Sequence, residues 1–266
     1  MTGAEGIDYS FLVQTRNNWE ELVRSIDSIR SEAPTCSEVV VVDGSDVPFG
    51  EEPVRVLVGD ERIRLTYALD ERLGVYNAIN VGIRKSSGRW LIVITAGDSL
   101  ETGAKAMLES IRNSGAEVVV FSQNVIDQDG RLSYQFFPTE KSAWPHQSVI
   151  IRREVHERLG FYPTEFRYAA CQCLFAHIRT HANVQMRREI FSTFRLGGLT
   201  SGASLRRSRE IFAVHRRLGH GYSVAVLHGY VYPYIRFVLE RIPLFRGVVR
   251  RLRRMVYREY QQIPGS

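Results

Sequence analysis

The chain has 266 residues, of which 44% are hydrophobic and 24% are charged, and its formal net charge is +6 at pH 7. This length suits one large α/β domain, with or without a smaller appendage. The apolar fraction is sufficient for a hydrophobic core, which excludes a chain too polar to fold. Three cysteines and no visible signal peptide argue against a secreted disulfide framework, and they predict reduced thiols in the cytoplasm.

The chain begins with apolar strands that alternate with amphipathic helices. Tyr9–Thr15 is predicted to be a strand, and a helix follows that begins after the capping residues Asn17 and Asn18 and ends before Pro34. Glu38–Val42 contains four consecutive valines, which predicts a strand that is buried on both faces, as in a parallel sheet.

The alternation continues to about residue 130. Ile63–Leu69 is predicted to be the third strand, YNAINVGIRKSSG a helix that Gly88 ends, and RWLIVITAGD the fourth strand. TGAKAMLESIRNSG is predicted to be a helix and AEVVVFSQNVI a strand. The β-α-β-α order predicts a doubly wound, parallel sheet.

Polar residues follow these strands at or near their ends: Thr15, Asp43, Asp70 and Asp98. Ligands of such sheets bind outside the carboxyl ends of the strands, so the four residues predict a polar ligand site, although each could be only a turn former or a helix cap. The glycine-rich dinucleotide fingerprint and the P-loop are both missing after the first strand. A carboxylate at a strand end instead favours a divalent metal that carries phosphates.

Three successive blocks carry a resemblance to a known family: EVVVVDGSD, then ERLGVYNAINVGIRKSSGRWLIVITAGDSL, then HQSVIIRREVHERLGFYPTEFRYAA with the later FRLGGLTS. They resemble the family-2 glycosyltransferases of the GT-A fold, of the bacterial polysaccharide-biosynthesis type, over roughly residues 9–202. The resemblance implies a Rossmann-like nucleotide-diphospho-sugar transferase domain with a mainly parallel central sheet, over residues 1–204. A helical, basic C-terminal extension over residues 205–266 is expected to follow.

The resemblance also implies a role for residues at the strand ends. Asp43 would accept a hydrogen bond from the nucleotide base, most simply uracil N3–H, in a pocket that Thr15 and Arg16 line. Asp98 would bind Mn²⁺ or Mg²⁺ that bridges the two phosphates. Similar proteins have more acids around this motif, where this chain has AGDS, so we expect weak metal binding before the nucleotide arrives. The other expected nucleotide-sugar contacts are Asp70, Asn77 and Asn80, of which the asparagines have helix surface or capping as the alternative.

The acceptor side of the cleft is expected around the segment that follows Pro145. The resemblance places His146 and Gln147 there, and Trp144 could stack on a sugar face or simply pack in the core. Similar proteins have an aspartate as general base at the position of Cys171, and a neutral thiol does not accept a proton. Besides Cys171 itself, the nearest candidates for the base are Glu165 and His146.

The C-terminal part of the chain differs strongly in charge from the rest. Residues 205–266 hold 13 arginines against 3 glutamates, a net charge of +10, whereas residues 1–204 carry −4. SLRRSREIFAVHRRLG and PLFRGVVRRLRRMVYREY are both predicted to be amphipathic helices. Tyr222–Leu239 has the length of a membrane span, but His228 and Arg236 interrupt it, so we do not expect it to span. The pattern favours an anionic membrane surface, with nucleic acid or packing on the body as alternatives.

The sequence therefore predicts a metal-dependent, inverting glycosyltransferase. The donor would be a nucleotide-diphospho sugar, most simply a UDP-sugar, and the acceptor a saccharide or lipid-linked saccharide at the cytoplasmic membrane face. A nucleotide-sugar-binding relative or partner subunit with impaired catalysis is the first alternative, because of Cys171. A nucleic-acid-binding protein that depends on the basic tail is the second.

Overall fold

The structure is a computed structural model. It describes residues 6–140, 144–197, 205–231, 234–235 and 260–261. The described strands are β1 (Tyr9–Thr15), β2 (Ser37–Asp43), β3 (Ile63–Leu69), β4 (Trp90–Thr95), β5 (Ser99–Leu100), β6 (Val118–Ile126), β7 (Leu132–Phe136), β8 (Val149–Arg152), β9 (Val184–Arg195) and β10 (Tyr260–Gln261). The described helices are α1 (Trp19–Glu32), α2 (Glu51–Val58), α3 (Val75–Lys85), α4 (Ala104–Ile111), α5 (Arg153–Leu159), α6 (Ala170–His181), α7 (Leu205–Arg217) and α8 (Tyr222–Val226).

These strands form one sheet in the order β10-β7-β6-β8-β4-β1-β2-β3, and β9 pairs with β6 and with β5. The half that contains β4, β1, β2 and β3 is parallel throughout, in the predicted alternation with helices. In the other half, β8 lies antiparallel between β4 and β6, an insertion that the order of the elements did not predict. The carboxyl ends of the four parallel strands therefore lie side by side.

Apolar side chains bury both faces of the sheet, as the runs of valine and isoleucine predict. On one face, Phe11, Val39 and Val41 pack with α1, α2 and α4. On the other face, Leu12 and Val93 pack with α3, α5 and α6. Alternate residues of β1, β2 and β4 thus enter different cores.

The amino-terminal edge of the sheet is closed by a buried carboxylate. Glu38 is fully buried and accepts hydrogen bonds from Ser10 Oγ (2.7 Å) and the Gly88 backbone N–H (3.1 Å). Ser87 and the Arg64 guanidinium also donate to it. Burial alone would raise the pKa of Glu38, but these donors outweigh it and hold the pKa below its usual value. Glu38 thereby ties the loop between α3 and β4 to β1 and β3.

The described part of the C-terminal segment packs on the body. Val214 of α7 is fully buried in the same core as α6, and the Tyr168 backbone N–H donates to Glu210 (2.6 Å). A π-helical segment, Leu227–Val231, follows α8 and lies against α7. The predicted helix in PLFRGVVRRLRRMVYREY falls almost entirely outside the described residues. Among the helices described, none has the length and apolarity needed to cross a membrane.

Candidate functional site

The parallel strands bring the predicted polar residues to one edge of the sheet. Thr15 and Asp43 end neighbouring strands in register, and the Asp70 backbone N–H donates to the Asp43 carbonyl (2.9 Å). On the other side of β1, the Ala96 N–H donates to the Gln14 carbonyl (2.9 Å), which places the turn before Asp98 beside the end of β1. This edge is the position at which sheets of this kind bind ligands.

Asp43 is buried and holds the loop that follows β2. Its carboxylate accepts hydrogen bonds from the Ser45 N–H (2.8 Å), the Phe49 N–H (2.7 Å) and the Tyr67 hydroxyl (2.7 Å). Burial acts to raise the pKa of Asp43, but the three donors outweigh it and leave the pKa below its ordinary value. An ionised Asp43 thus fixes the loop, and its contact with a nucleotide base stays a prediction.

A second group of charged side chains surrounds Asp46 at the rim of this edge. The Asp46 carboxylate accepts from Asn17 Nδ2 (2.8 Å) and lies 3.3 Å from Arg72 Nη1 and 3.7 Å from Arg16 Nη2. The predicted contact residue Arg16 therefore lies exposed at the rim, next to Arg72, which the sequence did not single out.

The two asparagines of α3 have different surroundings. Asn77 Nδ2 donates to Asp70 Oδ1 (3.2 Å), so these two predicted residues lie together. Asn80 is buried, and its amide donates to the Tyr162 carbonyl (2.8 Å) and accepts from the Tyr162 N–H (3.1 Å). Asn80 consequently positions Tyr162, and its contact with a sugar stays a prediction.

Asp98 is the buried acid of the edge, with 4% of its surface exposed. Gln147 Nε2 donates to Oδ2 (2.8 Å), and the Arg195 backbone N–H donates to Oδ1 (3.2 Å). Burial raises the pKa of Asp98 to about 7, against the effect of these donors, and the nearby charge of Glu21 raises it further. Gln147 thus orients Asp98, and its predicted contact with the acceptor stays a prediction.

The turn that carries Asp98 is held between β1 and α1. Gly97 has a positive φ of 100°, a backbone conformation that favours glycine, and its N–H donates to the Glu21 carbonyl (3.1 Å). Ser25 Oγ donates to the Asp98 carbonyl (2.6 Å). The first two turns of α1 therefore fix the position of this acid.

A cluster of aromatic side chains surrounds Cys171 beside α3. The Tyr76 hydroxyl donates to Cys171 Sγ (3.3 Å), and the Tyr76 ring stacks on Tyr162 with centroids 5.6 Å apart. His146 Nε2 lies 2.8 Å from the Tyr162 hydroxyl. Burial lowers the pKa of His146 to about 4 and raises the pKa of Cys171. A protonated thiol does not accept a proton, and an imidazole with a pKa of about 4 is only weakly basic, so each is a weak general base at neutral pH.

The two remaining predicted residues make contacts within the protein. Glu165 is exposed and forms an ion pair with Arg217 of α7. Trp144 is buried, with its ring 5.5 Å from Phe175 and the Arg179 guanidinium 4.5 Å from its centroid. The structure therefore places Trp144 in the core and Glu165 next to the C-terminal helix.

Sequence reasoning missed one polar side chain at the strand edge, that of Gln14, which precedes the predicted Thr15. Both amide atoms of Gln14 and the hydroxyl of Thr15 are buried and have no hydrogen-bond partner in the described structure. Gln14 could have been noticed as a polar residue in an apolar strand. Buried polar groups require partners, so these atoms indicate that a polar ligand completes the edge.

The described residues offer few side chains that could bind the expected metal ion. No group of three His, Cys, Asp or Glu side chains within them is placed to hold a metal ion. Each oxygen of Asp98 accepts one hydrogen bond from the protein, and a carboxylate oxygen has a further lone pair. One carboxylate with the phosphates of a substrate is within the range of ligand sets that Mg²⁺ uses, so Asp98 fits the ion as part of such a set.

Comparison with known proteins places this geometry in a family context. The family model described as "Glycosyl transferase family 2" matches residues 10–194. The succinoglycan biosynthesis protein ExoO of Rhizobium meliloti is 33% identical over 144 residues, which cover 53% of this chain and 40% of that protein. A PGL/p-HBAD biosynthesis glycosyltransferase of Mycobacterium bovis is 30% identical over 92 residues, which cover 35% of this chain and 36% of that protein. The matches thus span well under half the length of these relatives.

Solved structures share the fold at low sequence identity. TarS 1–349 of S. aureus, in complex with UDP-GlcNAc, has a TM-score of 0.62 and 18% identity, covering 83% of this chain and 66% of that chain. The mannosyltransferase PcManGT of Pyrobaculum calidifontis, in complex with GDP-Man and Mn²⁺, has a TM-score of 0.61 and 16% identity, covering 86% of this chain and 70% of that chain. At these identities the likeness establishes a common fold.

Proposed function

The chain belongs to glycosyl transferase family 2, and from this membership we propose that it transfers a sugar from a nucleotide-diphospho sugar to an acceptor in polysaccharide biosynthesis. The observation that carries the proposal is the edge of the parallel strands, where Thr15, Asp43 and Asp98 lie together with the unpartnered Gln14. Buried polar groups without partners in the protein are suited to a polar donor such as a nucleotide sugar.

We propose a UDP-sugar as donor, since Asp43 lies at the end of β2 beside Thr15. TarS binds UDP-GlcNAc and PcManGT binds GDP-Man, so a test of the donor has to include both uridine and guanosine nucleotides. The proposed acceptor is a saccharide or a lipid-linked saccharide. Its site would adjoin the aromatic cluster of Tyr76, Tyr162 and His146, which lies next to Cys171.

Divalent metal use is suggested by the family and by the Mn²⁺ complex of PcManGT, and we propose that Asp98 holds the ion here. When bound, Mn²⁺ or Mg²⁺ would neutralise charge that builds on the departing nucleoside diphosphate. Gln147 and the Arg195 N–H orient the Asp98 carboxylate for this task. Burial of Asp98 excludes water, which strengthens its attraction for a cation.

Inverting transfer requires a base that removes the proton of the acceptor hydroxyl. Burial lowers the pKa of His146 to about 4 and raises the pKa of the Cys171 thiol, so both accept a proton poorly, and Glu165 is paired with Arg217 at the surface. We therefore keep a second candidate function, a nucleotide-sugar-binding relative with impaired catalysis. The buried Cys171 thiol is the observation that favours it, because burial raises its pKa and a protonated thiol takes no proton from an acceptor hydroxyl.

Thermal unfolding with nucleotides tests the donor site. The midpoint of the wild type is measured with UDP, GDP and dTDP, each with and without Mn²⁺. A ligand at 100 times its Kd stabilises the native state by about 2.7 kcal/mol, which raises the midpoint. We expect one nucleotide to raise it in the wild type with Mn²⁺, and Asp98→Ala to lose the increase.

Asp129→Ala is the matched control for this experiment, because Asp129 is an exposed acid in the turn between β6 and β7. Asp129→Ala should leave the nucleotide-induced increase in the unfolding midpoint unchanged. If no nucleotide shifts the wild type under either condition, the donor site is refuted. A shift without any transfer of labelled sugar would support the binding relative instead of the enzyme.

A further inference from the structure

The turn that carries Asp98 supplies a single carboxylate. Ala96 and Gly97 precede Asp98, and neither has a side chain that could bind a cation. Divalent cations bind carboxylate oxygens, and a nucleotide-bound Mg²⁺ usually takes one or two carboxylates in addition to phosphates. Asp98 is buried, and each of its oxygens already accepts a hydrogen bond from the protein. A second carboxylate from another element would therefore strengthen this ligand set.

Helix α1 places an acid against this turn. Glu21 and Ser25 are four residues apart in α1, so they lie on the same face of the helix. Ser25 Oγ accepts from the Gly97 N–H (3.1 Å) and donates to the Asp98 carbonyl (2.6 Å). The Gly97 N–H also donates to the Glu21 carbonyl (3.1 Å). This face of α1 is thus in direct contact with the turn.

The side chain of Glu21 extends to the place that a side chain at position 97 would take. A Cβ atom built on Gly97 would lie 3.3 Å from Glu21 Cδ, 3.4 Å from Cγ and 3.6 Å from Oε1. No cationic side chain of the described residues pairs with Glu21. The Glu21 carboxylate consequently lies beside Gly97 as an acceptor that is not neutralised by the protein.

An independent observation indicates that a polar ligand belongs at this position. The Thr15 hydroxyl is buried without a partner in the described structure, as is the Gln14 amide. Strand alternation places Thr15 on the same face as Phe11 and Val13, which is the face that α1 covers. Gln14 is joined to the turn by the hydrogen bond from the Ala96 N–H to its carbonyl (2.9 Å). The unpartnered Thr15 hydroxyl therefore lies at the end of β1 on the face that α1 covers, next to the turn that carries Asp98.

We infer that Glu21 and Asp98 together hold the divalent cation, with Glu21 supplying the carboxylate that the turn after β4 lacks. The inference rests on the proposed function, because the phosphates of the donor complete the ligand set. Two carboxylates that lie close together without a cationic side chain repel each other, and a bound cation removes this repulsion. Glu21 thereby becomes a metal-binding residue contributed by α1.

Binding of Mn²⁺ tests the inference without relying on activity. Free Mn²⁺ is measured by electron paramagnetic resonance in titrations of the full chain with saturating UDP or GDP. We expect Glu21→Gln to weaken Mn²⁺ binding at least tenfold. Glu20→Gln is the matched control, since Glu20 is exposed in the same helical turn and its loss changes the helix N-terminus by the same charge. It should change the affinity less than twofold.

The outcomes separate the inference from the proposed function. If Glu21→Gln binds Mn²⁺ as tightly as the wild type, or if the wild-type nucleotide complex binds no Mn²⁺, the inference is wrong although the donor site stands. If neither UDP nor GDP binds with EDTA or with Mn²⁺, the proposed donor site and the inference both fail. Glu21→Asp keeps a carboxylate on a shorter stem and should recover part of the affinity, which excludes a mere folding defect.

Discussion

Cys171 stands where the family resemblance predicts an aspartate as general base. Its thiol is uncharged at neutral pH and accepts a hydrogen bond from Tyr76. We predict that Cys171→Asp raises the rate of sugar transfer at least tenfold, since a positioned general base contributes roughly 10²–10⁴-fold. The measurement is transfer of labelled sugar from the donor that thermal unfolding identifies.

Cys171→Ser is the control for this prediction, because a hydroxyl has a similar size and no carboxylate. It should leave the rate unchanged. A Cys171→Asp variant that binds nucleotide normally and transfers no faster would show that the base lies elsewhere.

The buried Asp98 makes stability depend on pH. Its pKa is about 7 in the folded chain and about 3.9 in an unfolded one, so the folded state binds the proton more tightly. The free energy of unfolding should therefore fall as pH rises from about 4 to about 7, by up to about 4 kcal/mol, and stay level above that. Denaturation by urea from pH 5 to pH 8 measures this fall, and Asp98→Asn should show a smaller one.

Glu38 stabilises the fold at the opposite, amino-terminal edge of the sheet. Its buried carboxylate accepts from Ser10, Ser87, Gly88 and Arg64. We predict that Glu38→Ala lowers the free energy of unfolding by roughly 3 to 5 kcal/mol, because several buried donors lose their partner. Urea denaturation measures the loss, and the exposed Glu52→Ala should differ from the wild type by less than about 0.5 kcal/mol.

Among the secondary-structure elements, those of the parallel half of the sheet were predicted well from the sequence. Ile63–Leu69 is a strand over the predicted residues, and the family resemblance is confirmed together with its GT-A fold. These elements have strong local signals, namely valine runs and helical periodicity. The short helix α2 was missed, because it has only eight residues and contains Pro53.

The contacts of the candidate site were harder to predict than its position. Asp98 and Gln147 are 49 residues apart, and they meet because β8 inserts between β4 and β6. No local pattern encodes that insertion. The contact between Gln147 and Asp98 was consequently not predicted.

The packing of helix α7 bears on where the folded domain ends. The sequence divided the chain after residue 204, yet Val214 is fully buried against the core that contains α6. We predict that Val214→Ala lowers the free energy of unfolding of the whole body by about 2 kcal/mol, for two buried methyl groups and the cavity they leave. Ala213→Ser, at an exposed position of the same helix, should have little effect. A single, shifted unfolding transition would show that α7 belongs to the body.

Exposed apolar side chains are concentrated in the described part of the basic segment, residues 205–235. Tyr222, Leu227 and Tyr234 are 50–69% exposed, and Arg216 and Arg217 lie in the same segment. Apolar side chains beside arginines are suited to an anionic membrane surface, which agrees with the proposed lipid-linked acceptor.

Vesicle sedimentation tests this surface. We predict that the chain binds vesicles that contain phosphatidylglycerol, binds neutral vesicles at least tenfold less, and loses affinity when Leu227 is replaced by Glu. Val56→Glu is the control, since Val56 is an exposed apolar residue of α2. Preferential, salt-sensitive binding of an oligonucleotide over anionic vesicles would favour the nucleic-acid alternative.

The position of β8 has a consequence for synthesis of the chain. β4 ends at Thr95, but the strand that covers its outer edge begins only at Val149. At about 5–20 residues per second, a ribosome needs about 3 to 11 seconds to make the intervening stretch. Throughout that interval the nascent chain exposes an apolar strand with unpaired backbone groups, which is a template for aggregation. Binding of a chaperone to nascent chains should therefore be strongest before Val149 has emerged and decline afterwards.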